Sequence, residues 1–310
     1  MKSKSIFEVV LGSYEKYLVG YSLVRDKVND SYNFVRTFAE EAHNGCIKSV
    51  ATSSTTLVSG GTDECIRIFD MKRKKDVASL FNQEGTITCL NFIDDQHLIS
   101  GSEDNSICVW TTCNWKCAKT LLGHKGPIKG LSVHPSGGLA LSVSKDKAVR
   151  TWDLVKGRCA FISNIKEVAN DIIWSPSGKQ FLVLFDRRLD VYDTGLAAPI
   201  HKIPFTKNVN CARFINESIA MIGLDDGCLE MINVMKNKSL KNQKIHETRI
   251  KDICLTSKGV LTASSDGVVK FCRGQNFATL AETNLGCRIT CMSVFPPQPV
   301  QLTTKSKSSE

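Results

Sequence analysis

Apolar and polar residues alternate in short runs along most of the chain, and turn-forming residues separate the runs. Within residues 121–153, three such runs cover 128–133, 139–143 and 149–152. Alternation over four to eight residues is typical of a β-strand with one buried face. The Lys-Asp-Lys sequence at 145–147 separates the last two runs and suits a tight turn. The pattern therefore predicts a small antiparallel sheet of short strands.

Two dipeptides mark the ends of this sheet. Gly123-His124 precedes the first run, and Trp152-Asp153 closes the third. A Gly-His pair and a Trp-Asp pair that enclose one repeat are typical of a WD40 β-propeller blade, a four-stranded unit of about 40–45 residues. The sequence thus predicts an all-β fold built from such blades.

Four polar residues of this stretch fall at the positions of the buried hydrogen-bond tetrad of a WD40 blade: His124, Ser142, Asp146 and Trp152. We expect His124 to donate to Asp146, Ser142 to bridge, and Trp152 to donate its ring N–H. One such group buried without a partner would cost roughly 1–3 kcal/mol, whereas the four satisfy one another. Ser, His and Asp are also the residue types of a hydrolase triad, but the blade accounts for their spacing. We therefore predict a structural role and no catalytic residue.

The turn aspartate recurs at the blade period. Its intervals are 40 to 42 residues, and its six positions are Asp63, Asp104, Asp146, Asp186, Asp226 and Asp266. The histidine of the tetrad occurs in only three repeats, as His43, His124 and His246. The repeat of Asp146 alone has all four tetrad members. We expect the other repeats to depend on packing, those of Asp186 and Asp226 most of all.

Six repeats leave both ends of the chain unassigned. Near the N terminus, two alternating runs flank a turn in which Glu15 takes the place of the aspartate, but this unit lacks an innermost strand. Residues 288–295 form a strand without a sheet. Pairing the two completes a seventh blade and removes the open sheet edges that promote aggregation. We predict a seven-bladed WD40 propeller over residues 1–295, closed by its C-terminal strand, and a flexible tail over 296–310.

Charge and cysteine content narrow the class of protein. The 40 basic and 31 acidic residues give a net charge of +9, which favours nucleic acid or acidic partners. The 13 cysteines lack the spacing of a zinc site. Because no signal sequence is recognisable, we expect reduced thiols in the cytosol or nucleus. No run approaches the ~18 apolar residues that span a bilayer. We expect no metal, no cofactor and no membrane contact.

The face with the turn aspartates and the loops between blades is the usual contact surface of this fold. Its basic candidates for partner binding are Lys125, Lys145, Lys166, Lys207, Arg249 and Arg288. Acidic residues are interspersed among them, so the face suits a protein as readily as RNA. The alternative, that these charges only solvate the surface, is equally open.

Several segments resemble the PAK-interacting WD40 protein family. They are 131–161, with SVHPSGGLALSV and KAVRTWDLVKGRCAF, then 173–176, 263–267 and the Gly-Ser-Tyr-Glu turn at 12–15. The resemblance covers nearly the whole propeller, and one departure is Cys272, where the family has Trp. The resemblance implies two roles. One is assembly of the large (60S) ribosomal subunit in the nucleolus, and the other is negative regulation of p21-activated kinases by binding their regulatory region.

From the resemblance we expect a non-catalytic scaffold that is monomeric within larger complexes and resides in the nucleus and nucleolus. Its implied partners are proteins of the pre-60S ribosomal particle and a p21-activated kinase, with direct contact to ribosomal RNA left open. A substrate-recognition or adaptor subunit of another complex, such as a ubiquitin ligase, is an alternative for any WD40 ring.

Overall fold

The computed structural model describes residues 4–296, except residues 27, 28, 30, 197 and 275. This part of the chain forms seven four-stranded antiparallel sheets. The first strands of the sheets contact one another in a closed circle, so the protein is a seven-bladed β-propeller, as predicted. None of the described residues forms a helix that is long and apolar enough to cross a membrane. The predicted tail at 296–310 lies outside the described residues, apart from Pro296.

The blades are numbered in chain order, and each is given from its inner to its outer strand. Blade 1 contains β28 (Ile289–Phe295), β1 (Lys4–Ser13), β2 (Tyr17–Asp26) and β3 (Ser31–Glu41). Blade 2 contains β4 (Ile47–Thr52), β5 (Thr56–Gly61), β6 (Ile66–Asp70) and β7 (Lys75–Leu80). Blade 3 contains β8 (Ile87–Phe92), β9 (His97–Ser102), β10 (Ile107–Thr111) and β11 (Lys116–Leu121). Blade 4 contains β12 (Ile128–Val133), β13 (Leu139–Ser144), β14 (Ala148–Asp153) and β15 (Arg158–Asn164).

The remaining three blades follow the same order. Blade 5 contains β16 (Asp171–Trp174), β17 (Gln180–Leu184), β18 (Arg188–Asp193) and β19 (His201–Pro204). Blade 6 contains β20 (Val209–Phe214), β21 (Ile219–Leu224), β22 (Cys228–Asn233) and β23 (Lys238–Lys244). Blade 7 contains β24 (Ile250–Thr256), β25 (Gly259–Ser264), β26 (Val268–Cys272) and β27 (Thr279–Asn284).

Both ends of the chain share blade 1. β28 pairs antiparallel with β1 in a register that places Val9 opposite Val294 and Gly12 opposite Cys291. β28 also contacts the inner strands of the blades on either side, β4 and β24. The predicted closure is therefore confirmed. Because β28 covers β1, that strand has no free edge that could pair with another chain.

Small residues allow neighbouring blades to pack closely. Ile128 of blade 4 is fully buried and lies against Gly101 of blade 3, where an added Cβ would meet Ile128 Cγ2 at 2.8 Å. The same Cβ would meet Cys89 Sγ at 2.6 Å. Gly223 and Ile250 repeat this arrangement between blades 6 and 7. Because protein interiors are close-packed, the second strand needs glycine at this position.

Cys89, Cys211 and Cys291 serve the same packing, each with its sulfur against a glycine. All 13 cysteines are free thiols. Burial raises the pKa of Cys89, Cys108 and Cys291 to about 12, so these thiols stay protonated at neutral pH. They act as small apolar side chains.

The ring has two faces, because alternate strands of a blade run in opposite directions. One end of each blade carries the loop from the preceding blade and the turn between the second and third strands, and we call this the inter-blade face. The other end carries the turns that join first to second and third to fourth strands, and we call it the hairpin face.

Blade 1 has the longest outer strands, and they fasten it to blade 7. β2 and β3 comprise 10 and 11 residues. The rings of Tyr32 and Phe7 lie 5.4 and 5.8 Å from that of Phe271 in blade 7, both edge to face. Such aromatic pairs add to the stability gained from burial alone. They add to the packing of blade 7, in which Cys272 is fully buried.

Candidate interaction face

The tetrad of blade 4 is complete. His124 Nδ1 lies 2.8 Å from Asp146 Oδ2, and His124 Nε2 lies 2.7 Å from Ser142 Oγ. Trp152 Nε1 donates to the same Ser142 oxygen at 2.8 Å. Ser142 and Trp152 come from neighbouring strands, whereas His124 comes from the inter-blade loop. The structure thus brings all four predicted residues together.

The electrostatics of the tetrad support one direction of donation. Burial lowers the pKa of His124, so the ring is neutral and donates from Nδ1 while Nε2 accepts from Ser142. Burial alone would raise the pKa of Asp146, but hydrogen bonds from the Lys125 backbone N–H (2.9 Å) and from His124 outweigh it and lower that pKa. Ser142 has no exposed surface and already accepts from Trp152. A substrate therefore has no access to its oxygen, and the network joins the loop to the turn.

Blade 2 carries three members of this network. His43 Nδ1 lies 2.9 Å from Asp63 Oδ1, and His43 Nε2 lies 2.8 Å from Ser59 Oγ, while Phe69 replaces the Trp donor. Cys65 Sγ lies 3.6 Å from His43 Nδ1, so His43, Asp63 and Cys65 place three potential metal-ligand atoms close together. Both nitrogens of His43 are engaged, and burial raises the pKa of the Cys65 thiol to about 12. We assign the cluster to hydrogen bonding.

Blade 3 contains a variant of the tetrad that the sequence analysis missed. Gln83 takes the place of the histidine, since its Oε1 accepts from Ser100 Oγ at 2.5 Å and its Nε2 donates to the Ser106 carbonyl at 3.1 Å. Trp110 Nε1 donates to Ser100 Oγ at 2.8 Å. Asp104 accepts from the Ser106 backbone N–H at 2.8 Å. The expectation that blades other than blade 4 would depend on packing was therefore wrong for blade 3.

Blade 7 has only part of the network. His246 Nε2 lies 2.9 Å from Thr262 Oγ1, while His246 Nδ1 is buried without a hydrogen-bond partner among the described residues. Burial, together with the nearby charge of Lys270, lowers the pKa of His246 to about 4. The histidine is therefore held neutral inside the fold.

Blade 5 lacks the tetrad and uses an ion-pair group instead. Arg188 Nε donates to Asp190 Oδ1 at 2.7 Å, and Arg188 Nη1 donates to Glu167 Oε1 at 3.0 Å. The guanidinium also lies 4.2 Å from the centre of the Phe185 ring. This group links the third strand of the blade to the preceding inter-blade loop, which is the link that the tetrad provides in blade 4.

The six basic residues predicted for partner binding are exposed and lie on the inter-blade face. Lys145 lies in the turn between β13 and β14. The other five lie in the loops that join successive blades, and these are Lys125, Lys166, Lys207, Arg249 and Arg288.

The six residues differ in the contacts that their charged groups make. Arg249 Nε lies 3.6 Å from Asp225 Oδ1, and the guanidinium of Arg288 lies 5.4 Å from the centre of the Tyr14 ring. Within the described chain, no carboxylate forms an ion pair with the other four, which are Lys125, Lys145, Lys166 and Lys207. These four ammonium groups are available to a partner.

Exposed apolar side chains on the same face were not anticipated from the sequence. Phe81 and Leu122 directly follow the outer strands β7 and β11 and are 73% and 74% exposed. Tyr14, in the turn between the second and third strands of blade 1, is 54% exposed. Aromatic and apolar residues within a polar surround are typical of protein-binding surfaces. The alternating strand pattern does not reveal Phe81 and Leu122, because both residues lie in a loop just after a strand has ended.

The hairpin face carries a separate group of basic residues. Lys72, Arg73 and Lys75 surround the turn between β6 and β7, and Lys236 and Lys238 surround the corresponding turn of blade 6. All five are exposed. They lie at the opposite end of the blades from the inter-blade face and provide a matched set for comparison.

Comparisons with known proteins agree with this architecture. The model of the WD domain, G-beta repeat family matches residues 32–70, 74–111 and 115–153. Each match begins in the outer strand of one blade, or one residue before it, and ends in the third strand of the next, so each sequence repeat joins two neighbouring blades.

Similar proteins come from animals and fungi. The chain is 37% identical over 318 aligned residues to p21-activated protein kinase-interacting protein 1-like of Danio rerio, covering 96% of this chain and 85% of that protein. It is 27% identical over 345 residues to Protein MAK11 of Saccharomyces cerevisiae, covering 94% and 83%. It is 28% identical over 292 residues to Shk1 kinase-binding protein 15 of Schizosaccharomyces pombe, covering 91% and 82%.

Proposed function

Because this chain belongs to the family of p21-activated protein kinase-interacting protein 1, we propose that it is a non-catalytic scaffold in assembly of the large (60S) ribosomal subunit. It acts in the nucleus and nucleolus and is monomeric within the pre-60S particle. The inter-blade face docks onto proteins of that particle, with ribosomal RNA as a second ligand of the same basic surface.

The inter-blade face carries this proposal. It combines four lysines that are unpaired within the described chain with the exposed side chains of Phe81 and Leu122. Apolar anchors supply most of the binding energy of a protein interface, whereas surrounding charges steer association and select partners. The same lysines favour phosphate groups, because each neutralised phosphate releases counterions.

The burial of the tetrad residues supports a non-catalytic role. In blade 4 the geometry of Ser142, His124 and Asp146 resembles a catalytic triad. However, Ser142 is fully buried and its oxygen accepts from Trp152. A nucleophile needs room for the reacting carbonyl and donors for the developing oxyanion, and this oxygen has neither.

We propose a second function, negative regulation of a p21-activated kinase by binding its regulatory region. The names of the relatives from Danio rerio and Schizosaccharomyces pombe both denote kinase binding. The regulatory segment binds the same apolar and basic surface, so that one face serves two partners at different times.

Co-purification of the tagged chain from nuclear extract tests these functions. The proposal expects proteins of the pre-60S particle, with a p21-activated kinase in a separate fraction. Recovery of a cullin adaptor with neither of those would favour a ubiquitin-ligase subunit instead. A chain whose five hairpin-face basic residues are replaced by Ala serves as the matched control, and it should recover the same proteins.

A further inference from the structure

A cavity of about 360 Å³ opens into the centre of the ring and is lined by the inner strands of all seven blades. Each inner strand begins with a buried apolar residue, such as Ile47, Ile128 or Ile250, except in blade 5, where the buried Ala169 stands two residues before the strand. The next residue in each blade lines the cavity where it opens on the inter-blade face. These seven mouth residues are Lys48, Thr88, Lys129, Asn170, Asn210, Lys251 and Thr290.

The mouth is basic on three sides. Lys48 lies in blade 2, Lys129 in blade 4 and Lys251 in blade 7, so each lysine is two or three blades from the next. The other four mouth residues are neutral hydrogen-bonding side chains, and none of the seven is acidic. A ligand at the centre would thus meet ammonium groups on three sides and amide or hydroxyl groups between them.

Two carboxylates, Asp171 and Asp252, lie one residue deeper in the cavity. Asp252 Oδ1 accepts from Arg213 Nη2 at 2.9 Å, and Asp252 Oδ2 accepts from the Met292 backbone N–H at 3.0 Å. Asp171 lines the same cavity, where burial raises its pKa to about 6. With Arg213 counted, two carboxylates face four cations, so the channel and its mouth keep an excess of positive charge.

Two observations favour an anion at the mouth. Asn210 Nδ2 is buried and has no hydrogen-bond partner among the described residues, although a buried amide donor is normally satisfied. Burial and the nearby charges of Arg249, Arg288 and Lys48 lower the pKa of Lys251. An anion at the mouth would relieve this repulsion and accept from Asn210.

We propose that the inter-blade mouth of the central channel binds a small, multiply phosphorylated ligand of the inositol polyphosphate class. The cavity falls within the ~300–1,000 Å³ range of small-molecule sites and is enclosed by seven inner strands, so a compact ligand fits where a nucleic-acid duplex does not. Phosphate groups around a small ring match three separated lysines, and each ammonium can form charge-assisted hydrogen bonds to phosphate. This site does not rest on the docking proposal, because its lysines differ from the six basic residues of that surface.

Isothermal titration of the full chain at constant ionic strength, with inositol hexakisphosphate as the probe, tests the site. We expect one site per chain, and weaker binding of inorganic phosphate. The combined variant Lys48→Gln, Lys129→Gln and Lys251→Gln should bind about 1,000-fold more weakly, at roughly tenfold for each of the three lost charged contacts. The matched control Lys72→Gln, Lys75→Gln and Lys238→Gln, on the hairpin face, should bind as the unchanged chain does.

A second variant separates binding from folding. Asn210→Ala removes a donor that lacks a partner, so it should weaken binding about fivefold and leave the thermal midpoint of the unliganded protein unchanged or higher. The absence of saturable heat with inositol hexakisphosphate would overturn the proposal. Equal weakening in the mouth and hairpin-face triple variants would also overturn it, as would binding of a single-stranded RNA oligonucleotide at the mouth lysines without binding of the hexakisphosphate.

Discussion

The carboxylate of Glu15 accepts a hydrogen bond of 3.0 Å from the backbone N–H of Arg288, and so joins residues 273 positions apart. Blade 4, which is formed by one continuous segment, has the equivalent contact. There Asp146 accepts from the backbone N–H of Lys125 at 2.9 Å. The Tyr14 backbone N–H also donates to the Arg288 carbonyl, at 2.8 Å. The blade shared by the two termini is therefore held by the same turn contact as a blade formed from one continuous segment.

Removal of residues 288–295 should destabilise the whole propeller. The deletion exposes β1 of blade 1 along its length and uncovers buried residues such as Val9 and Leu11. We expect the truncated protein to lose its single cooperative unfolding transition and to aggregate. Denaturant unfolding followed by circular dichroism measures this.

Deletion of 299–310, within the tail that the sequence predicts to be flexible, is the control for that experiment. It should leave the unfolding midpoint unchanged. If both truncated chains remain soluble and unfold with the same midpoint, the ring is not closed by β28.

Asp146→Ala should cost more stability than Asp186→Ala. Loss of Asp146 removes the acceptor of His124 and of the Lys125 backbone N–H, and a buried group left without a partner costs roughly 1–3 kcal/mol. Asp186 accepts from the exposed Asn170 side chain, at 2.7 Å, which water can replace. Urea midpoints of the two variants provide the measurement, and equal shifts would rule out a special role for the tetrad.

Stability should fall on acidification from about pH 6.5 to pH 4. The pKa of His246 is lowered to about 4, so between these values the unfolded chain binds a proton that the folded chain does not, and unfolding is favoured as pH drops. The full effect of His246 is about 3 kcal/mol. Burial lowers the pKa of His43 and His124 in the same direction.

His246→Gln keeps a polar group near Thr262 and removes this titration. Urea midpoints at several pH values should therefore show a shallower loss between pH 6.5 and pH 4 in this variant than in the unchanged chain. His97→Gln, at a partly exposed histidine, is the control. An identical pH profile for His246→Gln and the unchanged chain would show that His246 is not held neutral by the fold.

Gly130→Ala should destabilise the contact between blades 4 and 5. A Cβ at Gly130 would lie 2.6 Å from Asp171 Oδ1 and 2.7 Å from Asp171 Cα. Overpacking of this kind costs about 1–3 kcal/mol. Gly138→Ala is the matched control in the same blade, since its nearest neighbour would be Ser136 Oγ at 3.7 Å. Thermal midpoints should fall for Gly130→Ala alone, and equal midpoints would contradict the close packing of the two blades.

The ring was predictable from the sequence because its determinants are local. The turn aspartates recur every 40 to 42 residues, and a tight turn demands the same residue wherever it occurs. Glu15 could be recognised as a substitute because it lies between two strand-like runs. Gln83 was missed because histidine alone was considered as the donor. The signal was available in the spacing, since Gln83 lies 21 residues before the turn Asp104, whereas His124 lies 22 residues before Asp146.

The cavity mouth was not predictable in the same way. Lys48, Lys129 and Lys251 lie in three different blades, and only the closed ring of inner strands brings them to one opening. The ion-pair group of Arg188 and Asp190 in blade 5 was also missed. The two residues belong to one alternating strand pattern, and nothing in that pattern indicates that their ion pair takes the place of a tetrad.

The docking face is tested most directly by association of a charge variant with pre-60S particles. In the face variant, Ala replaces Lys125, Lys166, Lys207, Arg249 and Arg288. The control variant replaces five basic residues of the hairpin face, which are Lys72, Arg73, Lys75, Lys236 and Lys238. Because exposed charges contribute little to stability, both variants should keep the unfolding midpoint of the unchanged chain.

Co-sedimentation with particles over a range of salt concentrations is the measurement. We expect the face variant to lose association and the control to keep it, with association of the control weakening as salt rises because binding releases counterions. Association of the face variant at the level of the unchanged chain, or loss in the control alone, would contradict the account.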